Sequence, residues 1–139
     1  MAPYFDDVEM GDELPPQERP ITDQAVVDFC LVWQGPGASR FTDHERATAE
    51  GLSAAITPGV MCMTLMAQFL EEWAGAGSVR KLDVVFRQNV LHGPVRLVGV
   101  VTDTSAAGGG LVECDVSMQS LEGELLVGGG ATLALPSRS

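Results

Sequence analysis

Residues 60–75, VMCMTLMAQFLEEWAG, decide the fold. A surface helix carries one apolar stripe, but this one is apolar on most faces until Glu71 and Glu72, so it is predicted to be buried. Ile56-Thr57-Pro58-Gly59 breaks the chain ahead of it, and Gly75 and Gly77 stop it. Downstream the apolar period changes from helical to alternating. Val112, Cys114, Val116 and Met118 interleave with Glu113, Asp115, Ser117 and Gln119, the pattern of a half-buried antiparallel strand. Strands are expected over 79–90, 95–104, 111–120 and 124–135, with turns at 92–94, 105–110 and 121–123. The run Gly128-Gly129-Gly130 precedes no helix, so it reads as a bulge or bend and not as a phosphate loop.

Upstream, Thr22 reads as an N-cap with Asp23 in the first turn, and Val26, Phe29, Cys30 and Trp33 form one helical stripe that 35–37 (GPG) ends. Thr42-Asp43-His44-Glu45 fits a capping box with Thr42 at N-cap, opening a short helix through Ala49 that Gly51 closes. Pro3, Pro15, Pro16 and Pro20 make 1–20 an extended arm with an edge strand around 14–19. Residues 1–139 thus read as one α+β domain, an antiparallel sheet on a buried helix.

Composition narrows the partners. Acidic residues outnumber basic ones 19 to 8, a formal charge of −11 that repels nucleic-acid phosphates and anionic lipid. Acyl-coenzyme A would need a local basic patch, and Arg80, Lys81, Arg87 and Arg96 are the candidates; the plainer reading of them is ordinary strand-edge charge that discourages aggregation. Three cysteines without C-x-x-C spacing suggest reduced thiols in a cytoplasmic protein. No apolar run approaches the roughly 18 residues of a membrane span, and the start lacks the regions of a signal peptide.

The stretches YFDDVEMGDEL (4–14), PITDQAVVDF (20–29), HERATAEGLSAAITPGVM (44–61) and AGAGSVRKLDVVFRQNVLHGPVRLVGVVTD (74–103) together resemble the MaoC-like hydratase and dehydratase family. The resemblance implies a hotdog fold that dimerises edge to edge and binds acyl thioesters of coenzyme A or a carrier protein. It also implies lyase chemistry, adding water to a 2-enoyl thioester or removing it from a 3-hydroxyacyl one. That chemistry uses an Asp and a His in the loop before the short helix, as general acid and base. Their register falls on Pro36 and Phe41, neither of which can move a proton, and Pro58 stands where the family often has a further His.

A main-chain element survives those changes. The Gly59 amide, with that of Val60, would polarise a thioester carbonyl from the N-terminus of the buried helix; a Pro-Gly turn that merely starts a helix is the plainer reading. Trp33, Pro36, Phe41, Thr57, Val60 and Thr64 would contact the substrate. The segment 57–69 also resembles the hotdog dehydratases of fatty-acid synthesis, whose acid and His positions fall on Thr64 and Glu50, so that dyad is absent too.

Substitutes exist, each with a structural reading beside it. Asp43 and His44 could form an improvised catalytic pair, or Asp43 could simply cap a helix. His92 falls in a strand–strand turn and is expected to be solvated. Glu45 and Glu50 could activate water or be ordinary helix-face carboxylates. Thr64 and Gln68 could touch a ligand, although Thr64 can bond its own helix. Met61, Met63 and Met66 could line an acyl tunnel or fill the core. Two histidines and three cysteines are too dispersed to suggest a metal site, and no cofactor is expected. The leading expectation is a non-catalytic or half-site subunit, a homodimer or the partner of a catalytic MaoC-like chain. The alternatives are a dehydratase-like enzyme (hydration, dehydration, isomerisation or cyclisation) with a non-standard relay, and an acyl-ligand binding module.

Overall fold

The computed structural model describes residues 2–104 and 109–138. After a short turn of helix at Phe5–Asp7 come β1 (Glu13–Ile21), α1 (Asp23–Trp33), α2 (His44–Ala49), α3 (Gly59–Ala74), β2 (Val79–Phe86), β3 (Gly93–Asp103), β4 (Leu111–Gln119) and β5 (Leu125–Ala134). The five strands form one antiparallel sheet in the order β1-β3-β4-β5-β2. Among the described residues no helix is long and apolar enough to cross a membrane. Most of the expected 105–110 turn lies outside the described residues.

The inner face of the sheet packs on α3. Met61, Cys62, Met66, Phe69 and Leu70 of α3 share one core with Leu97, Val101, Val112, Val116, Met118, Val127 and Leu133. Removing apolar surface from water holds these layers together, at roughly 1.5–3 kcal/mol per large side chain. The helix is not enclosed on every side, however. Val60, Thr64, Gln68 and Glu72, each one turn apart, stay exposed, and the outer two turns are used by β1: Arg19 donates to Gln68 at 3.0 Å and pairs with Glu72 at 3.5 Å.

β1 lies at the sheet edge, as its prolines require, and its ladder with β3 breaks register between Leu14 and Gln17, around Pro15 and Pro16. The glycine run in β5 carries no bulge: Gly128, Gly129 and Gly130 pair in unbroken register with Val85, Val84 and Asp83 on one side and with Ser117, Val116 and Asp115 on the other. A Cβ on Gly129 would sit 1.9 Å from the Asp83 carbonyl oxygen, so close backbone approach explains the glycine. At α2 the N-cap is Asp43 and not Thr42; its carboxylate accepts from the amides of Glu45 and Arg46. Thr22 caps α1 as expected, accepting from Ala25 at 3.0 Å.

Candidate functional site

The N-terminus of α3 has no side-chain cap, because its N-cap is Pro58. The first intrahelical amide is that of Cys62, which donates to Pro58 at 3.1 Å. The amides of Gly59, Val60 and Met61 therefore have no partner within the helix, and the aligned peptide dipoles place partial positive charge there. Thr57, two residues earlier, is buried at 5 % exposure with its hydroxyl unpartnered. The Phe86 ring closes over Gly59: a Cβ there would lie 3.0 Å from Phe86 Cζ. Thr64 turns its hydroxyl onto the Val60 carbonyl at 2.9 Å.

The loop before α2 holds no proton-transfer pair at the family positions. Pro36 is exposed, and Phe41 is half-buried in an aromatic stack with Trp33, which packs on Phe29 in turn; both ring separations are 5.9 Å. Pro36 and His44 line a cleft of about 530 Å³ with Val27, Leu31, Asp43 and Glu45. Asp43 and Glu45 are its carboxylates, and among the described residues no lysine or arginine lines it. Gly59 and Val60 do not line this cleft.

His44 pairs not with its neighbour Asp43 but with Asp23, with Nε2 3.2 Å from Oδ1. His92 reaches the same oxygen through Nδ1 at 2.6 Å. The expected Asp43–His44 pair is thus replaced by an Asp23–His44–His92 cluster, with Asp43 engaged as a cap. The solvated His92 expected from the turn is also corrected: its side chain is 6 % exposed, held between Asp23 and the Ile56 carbonyl. Nor are the histidines dispersed, since their rings meet edge to face at 5.4 Å. Hydrogen bonds from His92 and then His44 hold the Asp23 carboxyl below its ordinary 3.8. Sequence reasoning assigned Asp23 to the helix dipole alone. No local signal joins it to His92, 69 residues away.

Most of the other charged candidates have structural partners; Arg87 and Glu45 are exposed and make no ion pair among the described residues. Glu50 pairs with Arg40 at 3.1 Å, Lys81 with Asp83 at 3.3 Å and Arg96 with Glu18 at 3.7 Å, while Arg80 bonds the Gly77 carbonyl. Met61 and Met66 belong to the core. All three cysteines are unpaired and buried; burial pushes the thiols of Cys62 and Cys114 up to about 12 and about 11.

A five-stranded antiparallel sheet packed on one central helix is the hotdog fold of MaoC-like hydratases and dehydratases. No protein-family model matches the sequence, and no curated protein matches it. A structure described as a MaoC-like dehydratase superposes with a TM-score of 0.84 at 25% identity, over 98% of this chain and 42% of that one. The (R)-hydratase from A. caviae involved in PHA biosynthesis gives 0.82 at 19% identity, covering 93% and 98%. A chain of the ChsH1-ChsH2 complex from Mycobacterium tuberculosis gives 0.78 at 19% identity, covering 91% and 98%.

Proposed function

We propose that the chain is an acyl-thioester-binding, half-site subunit of a MaoC-like hydratase or dehydratase assembly. The observation that carries this reading is a carbonyl-binding element kept while the proton-transferring side chains are absent. Free main-chain amides stand at the start of α3, while Pro36 and Phe41 occupy the positions where a proton-transferring pair would stand. A thioester carbonyl accepting from the Gly59 amide, with Val60 beside it, gains electrophilic activation from a donor that side-chain substitution cannot remove. General acid–base chemistry would come from a second chain.

The partner supported best is a catalytic MaoC-like chain. One of the similar structures is itself a two-component complex. The outer edge of β1 is blunted by Pro15, Pro16 and Pro20, whereas β2, which among the described residues pairs with β5 alone, carries no proline and ends in exposed Val85 and Phe86. Sheet extension across β2 would remove this edge and bring the partner's loop beside Phe86 and Gly59. Arg80, Lys81 and Arg96 are already engaged, which leaves Arg87, next to Phe86, as the strand cation without an ion pair among the described residues and the one available to a coenzyme phosphate. Three unpaired thiols suit a reducing cytoplasm.

Hydration of crotonyl-coenzyme A tests the reading. The chain alone is expected to bind the thioester without turnover, and co-expression with a catalytic MaoC-like chain is expected to yield a stable complex that turns over. Turnover by the chain alone at a rate typical of hydratases would instead favour an enzyme with a different relay.

A further inference from the structure

Two histidines far apart in sequence grip the same short piece of backbone, and one carboxylate ties them together. His44 Nδ1 accepts the Ala55 amide at 3.1 Å, and His92 Nε2 faces the Ile56 carbonyl at 3.3 Å. Both rings meet Asp23 Oδ1 with their remaining nitrogens. Ala55 and Ile56 lead directly into Thr57, Pro58 and Gly59, the first residue of α3. The same approach is tied elsewhere by the Ile56 amide on the Arg40 carbonyl at 3.1 Å and the Thr57 amide on the Val90 carbonyl at 2.6 Å. The direction in which the first amides of α3 point therefore depends on contacts from α1, α2 and the segment between β2 and β3.

Asp23 Oδ1, His44 Nε2 and His92 Nδ1 lie within 4.8 Å of one another, and two histidines with one carboxylate are a donor set that cations accept. Hydrogen-bond direction decides against a cation. A metal on His44 Nε2 would move the ring proton to Nδ1, where the Ala55 N–H already points, leaving two N–H groups face to face at 3.1 Å. With the proton on Nε2, that ring donates to Asp23 and accepts from Ala55, and both contacts are attractive. His92 faces two acceptors, Asp23 Oδ1 and the Ile56 carbonyl, so it satisfies both only as the doubly protonated ring, donating from Nδ1 and from Nε2. Neither ring keeps a nitrogen directed at a substrate, so the cluster offers no general base.

We infer that Asp23 is a positioning residue: through His44 and His92 it clamps the backbone of residues 55 and 56, at the Ala55 amide and the Ile56 carbonyl, and so aims the carbonyl-binding amides at the start of α3. The consequence for ligands rests on the carbonyl site proposed above, but the clamp itself is read without any ligand.

The experiment is amide hydrogen exchange at Ala55, with nitrogen-15 NMR of the histidine rings and titration with crotonyl-pantetheine. In the wild type, His44 is expected to carry its proton on Nε2 and none on Nδ1. Asp23→Ala is expected to speed Ala55 exchange by about 10-fold or more, the scale of a lost charge-assisted hydrogen bond, and to weaken crotonyl-pantetheine binding by about 5-fold. Asp23→Asn, whose amide oxygen can accept the same two bonds, is expected to keep Ala55 exchange within about 3-fold of wild type. A protonated Nδ1 on wild-type His44, which requires no variant to fold, would overturn the inference. So would unchanged Ala55 exchange in a folded Asp23→Ala protein, or stoichiometric Zn²⁺ binding that Asp23→Ala abolishes. If wild type fails to bind crotonyl-pantetheine, the carbonyl site falls, and the exchange data still decide the clamp.

Discussion

Gly59→Pro removes the proposed carbonyl donor at little cost to the fold. Residue 59 is the first of α3, the helical position where proline is best tolerated, and no intrahelical bond uses its amide. The preceding residue suits a following proline as well: Pro58 has φ −58° and ψ 139°, the extended conformation that a Pro-Pro step demands. Replacing glycine by proline in a compatible conformation stabilises by about 0.4–1 kcal/mol through the unfolded chain. Against this, Phe86 Cζ lies 3.0 Å from where a Cβ would be, so the ring must shift by about 0.6 Å to regain ordinary contact. Phe86 is 45 % exposed and has room to move. The two effects nearly cancel, and the net change in stability should stay within about 1 kcal/mol. Loss of one hydrogen bond to the carbonyl should weaken crotonyl-pantetheine binding by about 3- to 10-fold. Gly59→Ala is the control, because it adds the same Cβ and keeps the amide. Calorimetric titration of both variants, with urea unfolding alongside, separates the Cβ contact with Phe86 from replacement of the amide N–H by the ring Cδ. Equal affinity of Gly59→Pro and Gly59→Ala would refute the main-chain donor.

Other consequences follow from the packing and the titrating groups. Gly129→Ala forces a Cβ into the Asp83 carbonyl oxygen at 1.9 Å, where only backbone can yield, and should cost about 3 kcal/mol or more in urea unfolding; a loss below about 1 kcal/mol would mean that the two strands part freely. With their thiols raised by burial to about 12 and about 11, Cys62 and Cys114 should react with iodoacetamide at pH 8 more than about 100-fold more slowly than a free thiol until the protein unfolds. The Asp23 carboxyl lies below its ordinary 3.8 in the folded chain, so its contribution to stability is present above that value and is lost as pH falls through the folded one. The difference in urea midpoint between wild type and Asp23→Asn should therefore shrink below pH 4, and a difference that grows with acid would contradict the assigned partners.

Local pattern carried much of the fold. Strict alternation in 111–119 and the apolar density of 60–75 mark β4 and α3 because burial imposes the period of each element. The prolines placed β1 at an edge for the equally local reason that they lack a donor. The open stripe of Val60, Thr64, Gln68 and Glu72 was harder to read, since α3's uncovered side depends on where β1 runs and not on the helix's own residues. The unbroken register through Gly128–Gly130 was likewise missed, because a close approach by Asp83 and a bulge both call for glycine. At the candidate site, Pro36 and Phe41 were legible one position at a time. The Asp23–His44–His92 cluster was not: its members come from α1, α2 and the segment after β2, and only the folded chain brings them to one oxygen atom.

Restoring the missing pair puts the half-site reading to a single comparison of rates. The measurement is the rate of crotonyl-coenzyme A hydration by Pro36→Asp/Phe41→His beside that of the wild type, both as purified single chains. No detectable hydration is expected from the wild type and a measurable rate from the double variant. Hydration by the wild type that the added Asp and His leave unchanged would contradict the half-site reading.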